Sequence, residues 1–132
     1  MRLYSLAADQ GHAYAQHSLG CMFRDGQGVA KDDAEAARLY SLAAAQGHAG
    51  AQFNLGNMFD EGRGVAQDYA EAVRLYSLAA AQGHAGAQNN LGGMIEQGHG
   101  VARDRAEAIR WFRLAAAQGD AGAKTNLERL GA

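Results

Sequence analysis

The sequence predicts an all-α fold: an α-solenoid of antiparallel helix–turn–helix repeats stacked with a period of 36 residues. Three observations carry this. Laid without a gap on 49–84, the stretch 13–48 agrees at 26 of 36 positions, and 85–120 continues in the same register. Landmark residues keep step: Gly20, Gly56 and Gly92; Met22, Met58 and Met94; Val29, Val65 and Val101. Self-similarity at a fixed period of this size marks a repeat architecture. Within each unit, two runs of helical periodicity are separated by turn residues.

In the unit 49–84, Ala51, Leu55, Met58 and Phe59 fall at i, i+4, i+7 and i+8, one face of a helix over 49–61. Gly62 is its stop signal and opens a short GxGV loop. Asp68 then offers an N-cap, with Glu71 three residues on. That is capping-box spacing: the aspartate accepts from an exposed amide and the glutamate reaches back. Asp32/Glu35 and Asp104/Glu107 repeat the arrangement. The second helix is predicted over 69–82, with Gly83 ending it. Residues 1–12 match the second helix of a unit and 121–132 match a first helix, read as a cap. The whole of 1–132 is therefore one repeat domain, with full units at 13–48, 49–84 and 85–120.

One helix pair of this length cannot bury its own apolar stripe, so neighbouring pairs must stack into a continuous core. Ala51, Ala79 and Ala80 leave room for close approach, and Leu55, Met58, Leu75, Tyr76 and Leu78 are expected to fill the rest. Arg38, Arg74 and Arg110 stand three residues after Glu35, Glu71 and Glu107, the spacing of an ion pair along a helix.

Composition narrows the function. A net charge of −2 and a pI near 6.2 give no basic footprint for nucleic acid or an anionic membrane. No apolar run approaches the ~20 residues of a membrane span. The opening MRLYSLAADQGH has no apolar stretch with a cleavage site, so no signal peptide is expected and the cytoplasm is favoured. The one cysteine, Cys21, excludes an intramolecular disulfide.

No GxSxG, SxxK, Walker or HExxH motif is present, so neither catalysis nor a cofactor is expected. The GxGV loops lack a strand–turn–helix setting and read as connectors. His12, His48 and His84 recur in step, but stacked helices lie about 8–10 Å apart. Zinc needs its ligands at about 2.0–2.3 Å, so one ion cannot collect them. Asp120 at the fourth such position points to a turn or an N-cap. His17 and Cys21, at i and i+4, make two metal ligands without a third.

The elements AQxxLG, GxGV, DxAEA and AAxQG, as in AGAQFNLGNMFDEGRGVAQDYAEAVRLYSLAAAQG, resemble the Sel-one-like repeat family, relatives of the tetratricopeptide repeat. The resemblance spans essentially the whole chain. It implies a right-handed superhelix and an adaptor role, with a protein or peptide held on a concave surface lined by the first helix of each pair. Some cysteine-rich bacterial relatives, with a disulfide in each repeat, are linked to β-lactam binding or hydrolysis. That gives the alternative of a protein acting on β-lactams or cell-wall fragments, though the disulfide pattern is missing here. A self-assembling structural module is a third reading.

If repeated residues build the fold, residues that vary between units are the candidates for function. On the first helices they share a face: Tyr14, His17, Ser18, Cys21 and Arg24; Gly50, Phe53, Asn54, Asn57 and Asp60; Gly86, Asn89, Asn90, Gly93 and Glu96. Asn54, Asn90 and Asn126 form a row at one repeat position, and an amide that donates and accepts suits a peptide backbone. Leu3, Tyr4 and Leu6, on a second helix with no first helix ahead of it, suggest a surface for homo-oligomerisation.

Overall fold

The computed structural model describes Ala8 and residues 11–132. Among these residues there are seven helices and no strand: α1 (Ala13–Asp25), α2 (Asp33–Ala45), α3 (Ala49–Glu61), α4 (Tyr69–Ala81), α5 (Ala85–Gln97), α6 (Arg105–Ala117) and α7 (Ala121–Leu130). Each packs on the next in sequence, so α1/α2, α3/α4 and α5/α6 form the pairs and α7 closes the array. This is the α-solenoid that the period predicts. Leu3, Tyr4 and Leu6 lie outside the described residues.

The helix ends follow from local chemistry. Asp32, Asp68 and Asp104 are N-caps, their carboxylates accepting from the backbone N–H of Glu35, Glu71 and Glu107 at 3.0, 3.1 and 3.1 Å. The other half of the capping box does not form. The amides of Asp32, Asp68 and Asp104 donate to the carbonyls of Phe23, Phe59 and Ile95. The loop folds back on the preceding helix and satisfies those donors, which frees the glutamates to pair with Arg38, Arg74 and Arg110. The first helices use a different cap. His48 and His84 accept at Nδ1 from the N–H of Ala51 and Ala87, both at 3.0 Å, and Asp120 accepts from that of Ala123 at 2.8 Å. His48 and His84 are thus side-chain caps, whereas His12 stands at the N-cap of α1 without a side-chain bond.

The GxGV loops are indeed connectors. Gly62 ends α3 in the left-handed region, at φ 68°. Gly64, at φ 72°, crosses the start of α2 so closely that a Cβ would stand 2.3 Å from the Asp33 carbonyl oxygen.

Tyr40, Tyr76 and Phe112 are fully buried and form the centre of each unit. They lie against Gly20, Gly56 and Gly92 of the partner helix; a Cβ on Gly56 would come 2.8 Å from Tyr76 Cε1. This close approach explains why glycine sits mid-helix, where it costs about 1 kcal/mol relative to alanine. Ala51, Ala79, Ala80, Leu55, Met58 and Leu75 are buried as expected. Leu78 is not: it, Leu42 and Leu114 are 42%, 42% and 41% exposed, a row along the outer side of the second helices.

A glutamine ladder clasps the units. Buried Gln16, Gln52 and Gln88 donate to the carbonyls of Ala8, Ala44 and Ala80 at the end of the preceding helix. Each also accepts, from Gln46, Gln82 and Gln118 in turn, at 2.7, 2.8 and 3.0 Å. One buried side chain thereby ties three helices together, and no buried side-chain polar atom among the described residues lacks a partner. No helix among them is long and apolar enough to cross a membrane.

Candidate interaction face

The variable residues of α1, α3, α5 and α7 form steps of one face, and each step bonds to the next. At the first step, the His17 ring stacks on the capping His48 with centroids 4.6 Å apart, and His17 Nε2 lies 2.9 Å from Asn54 Nδ2. Burial, followed by the nearby His48, Arg24 and His84, lowers the His17 pKa to about 4, so it is neutral at pH 7. Its Nε2 therefore accepts from the asparagine. Cys21 Sγ accepts from the Tyr40 hydroxyl at 3.2 Å and lies 3.8 Å from His17 Nε2. Burial and this contact with Cys21 push the Tyr40 pKa upward. Arg24 makes a bidentate pair with Asp25 at 2.9 and 3.1 Å, and the hydrogen bond raises the pKa of Arg24 and lowers that of Asp25. Tyr14 is 69% exposed.

At the second step, Phe53 packs against His84 in a tilted arrangement, with centroids again 4.6 Å apart. Asn57 Oδ1 accepts from both the Tyr76 hydroxyl, at 2.6 Å, and Asn90 Nδ2, at 3.0 Å. Asp60 Oδ2 lies 3.5 Å from the same hydroxyl, and burial followed by the Asp60 charge raises the Tyr76 pKa. At the third step, Asn89 Oδ1 accepts from Asn126 Nδ2 at 2.9 Å. Glu96 is clamped by Arg129 through two bonds of 2.7 Å, which hold its pKa low. A Cβ on Gly93 would meet nothing within 4 Å, leaving an open place on the face.

The structure thus gathers His17, Arg24, Phe53, Asn54, Asn57, Asp60, Asn89, Asn90, Glu96 and Asn126 on consecutive steps. It also shows what the sequence concealed: Asn54, Asn90 and Asn126 each spend a donor on the step before. Four amide atoms keep no hydrogen bond among the described residues: Asn54 Oδ1, Asn57 Nδ2, Asn89 Nδ2 and Asn90 Oδ1. The two asparagines that receive a bond keep a donor, and two that give one keep an acceptor.

Several charges nearby are paired. Arg63 lies 3.3 Å from Asp33 and 3.8 Å from Glu61. No group of three His, Cys, Asp or Glu among the described residues is placed to hold a metal ion. The face offers aromatic surface, amides and charged side chains.

The protein is therefore a helical-repeat solenoid that presents a ladder of side chains from its first helices. Its sequence matches the Sel1 repeat pattern at residues 1–12, 13–48, 49–84 and 85–120, and the chain belongs to the Sel1 repeat family. Members of this family generally act as protein–protein interaction scaffolds and are typically not enzymes.

Solved bacterial structures share the fold. A protective antigen present in uropathogenic Escherichia coli strains, displaying an SLR fold, superposes with a TM-score of 0.92 at 40% identity, over 94% of this chain. This chain spans only 27% of that one. A Sel1 repeat protein from Oxalobacter formigenes gives a TM-score of 0.86 at 40% identity, covering 96% of this chain and 95% of its own. Cysteine-rich protein B of Helicobacter pylori gives 0.74 at 21% identity, over 96% and 90% of the two chains, a likeness of fold alone. No curated protein matches this chain.

Proposed function

We propose that the chain is a protein-binding scaffold whose first-helix face holds an extended stretch of a partner protein. The observation that carries this reading is the set of free amide atoms on Asn54, Asn57, Asn89 and Asn90, flanking the open place at Gly93. A peptide backbone carries alternating N–H and C=O groups, and amide side chains offering both donor and acceptor meet them without regard to sequence. Phe53, Tyr14, the carboxylate of Asp60 and the paired charges Arg24 and Glu96 would supply selectivity among side chains.

Gly93→Arg tests this directly, because a side chain there projects into open space and leaves the core untouched. Peptides selected on the wild-type protein from a displayed random library should lose binding to Gly93→Arg and to Asn90→Ala, while both variants melt as cooperatively as the parent. Selected peptides that bind all three equally would place recognition elsewhere and end the proposal. The β-lactam alternative rests on the cysteine-rich relatives, and the likeness to the Helicobacter pylori protein supports only the fold.

A further inference from the structure

On the opposite side of the array, the groove between α2 and α4 forms a hollow of about 340 Å³. Its walls include Ala44, Leu55, Phe59 and Leu75, with Arg74 and Leu78 at the mouth. One period later the same positions are Ala80, Leu91, Ile95, Trp111, Arg110 and Leu114. There the single tryptophan of the chain replaces Leu75 and packs against the buried cluster that contains Ala80, Leu91 and Ile95.

A charged group caps the indole. The Arg110 guanidinium lies over its ring, 4.7 Å from the centroid. The Glu107 carboxylate, whose pKa is lowered first by its hydrogen bond from Arg110, pairs with that guanidinium. At the empty junction, Glu71 and Arg74 stand in the same relation to each other, paired as Glu107 and Arg110 are. A cation at the groove complements the electron-rich face of an indole, the side-chain ring that attracts a cation best.

We propose that the α2/α4 groove seats a tryptophan side chain of a protein partner, with Arg74 over its ring as Arg110 lies over Trp111. The internal tryptophan demonstrates the geometry, and Leu75 leaves the volume unfilled. This site is independent of the first-helix face, so either one can fail alone.

The test titrates N-acetyl-L-tryptophanamide into the ¹⁵N-labelled protein and follows amide shifts. Saturable shifts are expected at Ala44, Ala45 and Leu78, with N-acetyl-L-leucinamide binding more weakly. Leu75→Trp should fill the groove from within and abolish those shifts while leaving thermal unfolding cooperative. Trp111→Leu should open a second groove and add one site per chain, with new shifts at Ala80 and Leu114. Arg74→Gln should weaken binding about two- to fivefold, the loss of one exposed cation–π contact. No shift in the wild type, equal binding of the leucine amide, or binding unchanged in Leu75→Trp with no site gained in Trp111→Leu would overturn the proposal.

Discussion

The second and third units share one frame yet differ at its centre. In the second, Tyr76 is buried with its hydroxyl on Asn57. In the third, Phe112 occupies the same place and Gly93 stands where Asn57 did. Hydroxyl and acceptor are present together or absent together. The first unit follows the rule, with Tyr40 donating to Cys21. Adjacent glycines within the third unit make a second contrast. A Cβ on Gly92 would lie 2.7 Å from Phe112 Cε1, whereas one on Gly93 would meet nothing. Two residues one peptide apart thus answer to different demands: Gly92 to packing, Gly93 to the exposed face.

The largest effect is expected where that contrast is broken by force. Gly92→Ala pushes a methyl group into the Phe112 ring and should destabilise by about 1–3 kcal/mol, the cost of overpacking a core. Urea unfolding measures it, and an unchanged midpoint would remove the close-packing account of the mid-helix glycines. Tyr76→Phe should cost about 1 kcal/mol, the net worth of the hydroxyl's hydrogen bond. Its mirror is to install the pair in the third unit. Phe112→Tyr alone should give no gain, and with Gly93→Asn it should recover a coupling of roughly 0.5–1.5 kcal/mol in a double-mutant cycle. Additive effects would mean that the covariation of these positions is accidental. Gly93→Ala should stabilise by about 0.5–1 kcal/mol, since only helix propensity changes. Opposite signs for Gly92→Ala and Gly93→Ala are the sharpest form of the comparison.

A separate effect is set by pH. His17, with its pKa lowered to about 4, differs from Phe53 at the same step position. An unfolded histidine titrates near 6.5, so the unfolded chain binds the proton more readily through the window between the two values. The stabilisation from His17 is complete above about 6.5 and is lost as pH falls toward 4. Melting temperatures between pH 7 and 4 should fall more steeply in the wild type than in His17→Phe. Parallel curves would show that another group controls the acid limb.

Much of the fold is legible because repetition amplifies weak signals. A glycine at 20 says little, while glycines at 20, 56 and 92 mark a site that meets the same neighbour three times. The helices at 49–61 and 69–81 end within a residue of where periodicity and caps place them. Misreadings arise where one side chain has several partners of similar worth. Glu71 sits at the spacing of a capping box, but the amide it would have served is taken by the Phe59 carbonyl. Leu78 looks like core by composition, and its exposure depends on where the next helix pair lies. The asparagine row is visible as a row, but its donors go to acceptors 37, 33 and 37 residues earlier. Sequence does not order such distances. The clasping glutamines are audible in AQxxLG and AAxQG, yet nothing in those motifs says that one glutamine answers the other.

What the sequence determined by itself is the period, which repetition displays, and the helix ends, which depend on interactions within a turn or two of the chain. Tertiary structure decided which amide atoms remain free on the first-helix face and that Trp111 fills a groove Leu75 leaves open. Those outcomes turn on the separation of stacked helices, a distance set jointly by every side chain in the interface and by no local stretch of residues.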